Sequence, residues 1–433
     1  MRSVPPPASV AGTVPARDRA IDVARLGSLL VVMFGHCALL LATIDGGGVE
    51  VGNILGALPA LQPLTWALQV MPMFFLVGGA VGVYALPAGG SSAAWGTWLL
   101  HRAQRLCRPT LWYLAIWSAV ILVTRVVAGS ESARALGAES VALLWFLGVY
   151  LVVLAFVPLL CRMRSAAQVA VVVGGLLAIA AAVDAVRLTT GSDTAGAGNF
   201  VAVWLIPTAI GVAYARRLLT VRTAVAVAVA AFAAQVVLAM FGPYDLSLVV
   251  TGADRVSNTS PPTVLLGLHC LWMSLAFVAV AAPVRRWAAR PRVWHVTTVG
   301  NGGAMTLYLW HIPAIAVTAL ALHTAGLDAY DVHARGFWIR LALRCVVFAV
   351  VVAAAFLLLS PLEHRRLPWL DSQVVASGSR GVAAGTLVCL AGIALVVLSR
   401  YGLGSGPGWE ALGAFAVALA GARAIAQRKR DTA

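Results

Sequence analysis

Charge is what this 433-residue chain has least of: 11% of its residues are charged and 61% are hydrophobic, and its mean hydropathy is +0.90. A soluble domain carries about a quarter charged residues, so that class is excluded, and with it a row of separate soluble domains. Acidic residues number 16, and every basic residue except Lys429 is arginine. The net charge of +15 sits mostly in short loops between apolar runs, which argues for membrane topology and against nucleic acid as a partner. The six cysteines, Cys37, Cys107, Cys161, Cys270, Cys345 and Cys389, form no CxxC pair and no metal spacing. No metal is therefore expected, and no nucleotide loop, Ser-His-Asp set or internal repeat is found.

What is present is a succession of apolar runs near the length of about twenty residues that crosses a bilayer core. Twelve spans are expected, over 21–44, 64–86, 109–129, 139–160, 166–187, 199–215, 222–242, 262–284, 304–325, 337–361, 382–400 and 409–426. The fold class is an all-α polytopic transmembrane bundle. Residues 1–18 read as a disordered tail: the first apolar run is too long for a signal-peptide core, and no cleavage site follows it. With the N-terminus inside, arginines such as Arg102, Arg162, Arg216, Arg285, Arg365 and Arg380 fall on the cytoplasmic side. Only Arg134, Arg187, Arg255, Arg335 and Arg400 stay outside. An even number of spans then puts the closing Arg428-Lys429-Arg430 inside as well.

The first span carries the least expected residues. An α-helix turns 100° per residue, so Asp22, Arg25, Leu29, Val32 and His36 share one stripe. Arg25 and His36 stand about 16 Å apart along such a helix, too far to share one proton. Ionisable groups at membrane depth are costly, so each one is a functional hypothesis.

Other segments add to the stripe. Met71-Pro-Met-Phe74-Phe75-Leu-Val-Gly78-Gly79 reads either as a packing kink or as a place where a helix or ligand approaches closely. Arg102, Arg105 and Arg108 repeat every three residues before Pro109, so on a short interfacial helix they share a face. They serve either as ordinary inside charge or as guanidinium forks for phosphate. Tyr308 and His311, three apart in Tyr308-Leu-Trp-His311-Ile-Pro313, share a helical face. A buried histidine is either a hydrogen-bonded structural residue or a functional one, and His269 has the same two readings. Arg340 and Arg344, one turn apart, need anionic partners or water.

Taken in order, these segments resemble the acyltransferase family 3 membrane proteins. The family's Arg-x10-His helix is matched by Arg25 to His36, and its Phe-Phe-x-x-Ser-Gly segment by Phe74 to Gly79, with Gly78 in place of Ser. Its Arg-x-x-Arg loop is matched by Arg102 and Arg105, and its Tyr-Leu-x-His-x-Pro segment by Tyr308 to Pro313. The resemblance implies a ten-span acyltransferase core over residues 19–365, with residues 366–433 adding two spans and a basic cytoplasmic tail. It implies a multi-pass protein of the plasma (inner) membrane, bound to membrane lipids and holding no resident cofactor. It also implies an acyl-CoA donor, acetyl-CoA foremost, and an acceptor hydroxyl on a glycan, glycolipid or other small molecule.

In that reading Arg102, Arg105 and Arg108 bind the donor phosphates. The catalytic set is His36 as the base, Arg25, which positions the donor or stabilises developing negative charge, and Asp22, which orients Arg25; Tyr308, His311, Phe74 and Phe75 are further candidates. The two extra spans leave homo-oligomerisation open. The competing readings are an N-acyltransferase on an amino sugar and a twelve-span secondary transporter, in which buried Arg and His relay protons.

Overall fold

A computed structural model describes residues 18–45, 48–86, 95–251, 256–371 and 374–428. The expected tail over residues 1–17 and the closing Lys429 and Arg430 lie outside the described residues, as does Arg255. Helix α1 spans Arg19–Leu39 and is capped by Asp18, whose carboxylate accepts from the Ala20 amide at 3.0 Å. Asp22, in the first turn, sets negative charge against the positive end of the helix dipole. Asp18 was expected to close a disordered tail; it is instead the residue that starts the first span.

Helix α1 ends earlier than the expected 21–44. Leu40 is extended, and β1 (Leu40–Asp45) pairs antiparallel with β2 (Gly48–Asn53), Leu40 opposite Asn53. β-Branched Thr43 and Ile44 suit a strand, and the hairpin supplies the backbone hydrogen bonds that a continued helix would have made. The second span is broken in the same region. A 3₁₀ segment (Pro59–Leu64) and one turn (Thr65–Leu68) lead to α2 (Met71–Tyr84), where Pro72 occupies the first turn and its missing N–H costs nothing.

Helix α3 spans Trp95–Val127 in one piece. The short interfacial helix expected before Pro109 is therefore corrected: the arginines stand on the first half of a long helix. Pro109 removes only the bond to the Arg105 carbonyl, and membrane helices tolerate that loss. The expected span 139–160 is also corrected. Helices α4 (Gly129–Val141) and α5 (Leu144–Leu154) meet at a 40° bend, and α4 includes residues expected to be loop.

The chain continues through α6 (Ala166–Thr190), α7 (Asn199–Ala215), α8 (Val221–Phe241), α9 (Val264–Trp287) and α10 (Pro291–Gly302), the last in place of an expected loop. Helices α11 (Ala304–Thr324), α12 (Phe337–His364), α13 (Gly378–Tyr401) and α14 (Gly406–Ile425) complete it. Among the described residues 11 helices are long and apolar enough to cross a membrane, 12 if the bent α4–α5 pair counts as one span. Helices α13 and α14 pack on each other, and α13 lies against α3 and α5. That contact is close enough to require glycine, since a Cβ on Gly148 would stand 2.4 Å from the Gly392 carbonyl oxygen.

Buried His269 and Arg344, with exposed Arg340, tie backbone together at the breaks. His269 bonds the Gln69 carbonyl at 2.8 Å. Arg344 donates to the Ala38 and Ala329 carbonyls, and Arg340 to the Asp328 carbonyl. These three residues anchor backbone at the breaks near Leu39, Gln69 and Ala329, where helix or strand bonding stops.

Candidate active site

The polar stripe of α1 runs along three adjoining chambers. The first, about 1240 Å³, is a basin at the end of the bundle that holds the α1 N-terminus. Asp18, Arg19, Asp22, Arg25, Arg102, Arg105, Arg217 and Arg285 line it. The second, about 470 Å³, lies deeper and shares Arg25, Val77, Val81, Arg102 and Arg105 with the basin; Leu29, Phe74, Gly78, Arg108, Tyr150 and Tyr308 complete much of its wall. The third, about 390 Å³, lies toward the far end and contains Val32, Gly35 and His36. Phe146 and Tyr308 line both the second and third chambers, with ring centroids 5.6 Å apart.

At the far end α1 meets α11. His36 Nδ1 lies 3.0 Å from His311 Nε2, and the two rings are stacked with centroids 5.3 Å apart. His311 is fully buried, and its Nδ1 lies 2.8 Å from the Tyr308 carbonyl oxygen. A carbonyl only accepts, so Nδ1 of His311 carries the hydrogen and Nε2 is the acceptor of the neutral ring. His36 then donates from Nδ1, which leaves its Nε2 with a lone pair and no protein partner among the described residues. The Tyr308 hydroxyl donates at 2.6 Å to the carbonyl of Leu143, in the α4–α5 break. At the bend that carbonyl also accepts from the Phe146 amide at 3.2 Å, a three-residue bond in place of the usual four-residue one.

The three arginines expected at the donor, Arg102, Arg105 and Arg108, are not equivalent. Arg102 and Arg105 line both the basin and the second chamber, and Arg102 donates to the Val81 carbonyl at 2.9 Å. Arg108 lines only the second chamber of these two and is bound elsewhere, to the Glu363 carbonyl at 2.9 Å and the Asp371 carboxylate at 3.2 Å. Its fork closes the bundle against the segment after α12. Asp22 is buried at the basin wall, with its backbone carbonyl accepting from the Asn301 amide at 2.9 Å. Phe74 borders the second chamber and packs edge-on against Phe146 at 5.5 Å. Phe75 does not reach the chambers; it is fully buried and stacks on Trp204 at 4.7 Å.

Residues beyond the sequence motifs complete the basin. Asp18 accepts from Arg285 at 3.1 Å and from Tyr214 at 2.8 Å, joining α1, α7 and α9. Burial pushes its carboxyl up, but the Arg285 and Tyr214 hydrogen bonds and the Arg285 charge outweigh that and hold it below the ordinary carboxylate range. In the sequence Arg285 looked like any inside arginine and Asp18 like the end of a tail; only their meeting marks them. Gly78, where a serine was expected, is explained by Tyr150: a Cβ there would stand 2.7 Å from the tyrosine hydroxyl oxygen. A phenolic hydroxyl thus occupies the space beside Gly78.

Comparison with known families matches residues 18–360 to the acyltransferase domain. Comparisons with curated proteins and with solved structures returned no match.

Proposed function

Since the chain belongs to this acyltransferase family, whose family 3 members its motifs resemble, we propose that it passes an acyl group, acetyl foremost, from a cytoplasmic acyl-CoA to a hydroxyl across the membrane. The observation that carries the proposal is the α1 stripe. Asp22 and Arg25 border the arginine basin, Arg25 and Leu29 the second chamber, and Val32 and His36 the third.

The basin suits the polyanionic end of coenzyme A, because guanidinium forks grip phosphate oxygens in pairs. Its many arginines support a cytoplasmic setting for that end, and so for the N-terminus. The flexible arm of the donor then extends through the second chamber toward His36. The family favours this enzyme over a secondary transporter, and an amine acceptor would use the same donor site.

In the transfer, the acceptor oxygen attacks the thioester carbonyl carbon while His36 Nε2 takes its proton. The imidazolium so formed donates from Nδ1 to His311, whose orientation the Tyr308 carbonyl maintains. The C–S bond breaks, the thiolate recovers the proton from His36, and an ester and free CoA result. Arg25, about 16 Å from His36, acts on the donor's body and not on the reacting carbonyl, with Asp22 beside it.

The test uses protein in lipid nanodiscs, labelled acetyl-CoA and a panel of alcohol and amino-sugar acceptors. Free CoA and a labelled ester are expected. Solute movement across liposomes with no CoA chemistry would overturn the proposal.

A further inference from the structure

We infer that the acceptor hydroxyl is borne on an apolar body that enters the third chamber from the lipid side, and not on a free sugar. This rests on the acyl-transfer reading above and names its acceptor class. Among the described residues no charged side chain lines this chamber. Its polar side chains are largely committed to the protein itself. Thr65 donates to the Gln62 carbonyl at 2.6 Å and accepts from the Leu248 amide at 3.0 Å. The Gln69 amide donates to the Leu248 carbonyl at 3.0 Å and accepts from Met71 N at 3.4 Å. Tyr308 is engaged with Leu143.

What remains is His36 Nε2 at the reacting end, with the Thr259 hydroxyl and the indole N–H groups of Trp145 and Trp338 elsewhere on a wall that is otherwise apolar. A sugar would bury several hydroxyls against this wall, which offers few partners, and a buried hydroxyl left without one is costly. An alcohol with a hydrocarbon body has a single hydroxyl, and His36 accepts it. The volume of about 390 Å³ is at the lower end for small-ligand sites.

The mouth carries the second half of the argument. Leu64, Leu68, Val250 and Trp338 line the chamber and are also 54%, 52%, 56% and 56% exposed. These apolar side chains form its rim, on the broken segment before α2, the connection before α9 and the first turn of α12. A rim of that kind favours an occupant arriving from hydrocarbon over one arriving from water.

Gly35 supplies the probe. It lines the chamber, and a Cβ there meets nothing within 4 Å, so the side chain of Gly35→Leu starts in open space. In nanodiscs with labelled acetyl-CoA, 1-decanol should be acetylated, whereas glucose and the sugar ring of octyl glucoside should not. Gly35→Leu should raise KM for decanol about tenfold or more, with kcat changed far less and the melting temperature retained. A readout free of turnover is quenching of tryptophan fluorescence by 10-bromodecanol. It should saturate, persist in His36→Ala and lose its saturable part when Trp145→Phe and Trp338→Phe are combined, since both indoles line the chamber. Acetylation of glucose or of octyl glucoside, with no saturable quenching, would overturn the inference and leave acyl transfer standing. If no acceptor releases CoA, the transfer reading fails; saturable quenching then still supports an apolar occupant, and its absence overturns one.

Discussion

His36 and His311, 275 positions apart in the chain, are joined by a 3.0 Å contact between Nδ1 and Nε2. The contact orders the hydrogens of both rings. Tyr308 fixes His311, His311 fixes His36, and the free lone pair falls on His36 Nε2 in a chamber large enough for an acceptor. A histidine alone on α1 would choose its tautomer freely and lose part of its basicity to the wrong orientation.

Substitution should separate the two rings. His36→Ala is expected to lower kcat by about 10²–10⁴, because it removes the base itself. His311→Gln should lower it less while leaving KM for acyl-CoA unchanged, and Gln at 311, able to accept from His36, should retain more activity than Ala. Steady-state CoA release measures both. Equal losses for His311→Gln and His311→Ala would refute the orienting role.

The arginines should divide by their partners. Arg102→Ala and Arg105→Ala are expected to raise the donor KM about tenfold each, with the wild-type donor affinity falling as salt rises. Arg108→Ala should act on the fold, because it leaves Asp371 and the Glu363 carbonyl without their guanidinium. Thermal melts beside donor titrations distinguish these outcomes. A pure KM effect at Arg108 would place it at the donor phosphates after all.

Gly78→Ser restores the residue expected by resemblance but drives it into Tyr150. Overpacking of this kind costs about 1–3 kcal/mol, so Gly78→Ser should melt several degrees lower. Combining it with Tyr150→Ala should recover much of that loss, and the coupling in the double-mutant cycle is the quantity to measure. Additive losses would mean that the two positions do not share the space.

The Asp18 linkage predicts a pH effect on stability. Its folded pKa lies below the unfolded value, so its contribution is complete above the unfolded pKa of about 3.9. That contribution is lost as pH falls through the lower folded value. Asp18→Asn keeps an N-cap and removes the charge, so it should lower the melting temperature at pH 7 and shrink the difference between pH 7 and pH 3. Asp18→Ala should lose the cap as well, about a further 1 kcal/mol. An unchanged pH dependence in Asp18→Asn would remove the Arg285–Asp18 pair from the account.

Most of the spans, the stripe on α1 and the basic clustering were legible in the residues, because hydropathy and helical period are local properties that neighbours within a turn or two decide; the breaks in the second and fourth spans were not. The order of motifs likewise sufficed to identify the family. Tertiary structure alone decided that His36 meets His311, that Arg108 is held by Asp371 while Arg102 and Arg105 face the chambers, and that Phe75 is core while Phe74 is wall. It also turned Asp18 from tail into clamp and brought the Tyr308 hydroxyl to the Leu143 carbonyl at the α4–α5 bend. Each of these depends on how helices far apart in the chain cross. Such crossings are set by side-chain packing and close backbone approach between them, and no local period encodes that.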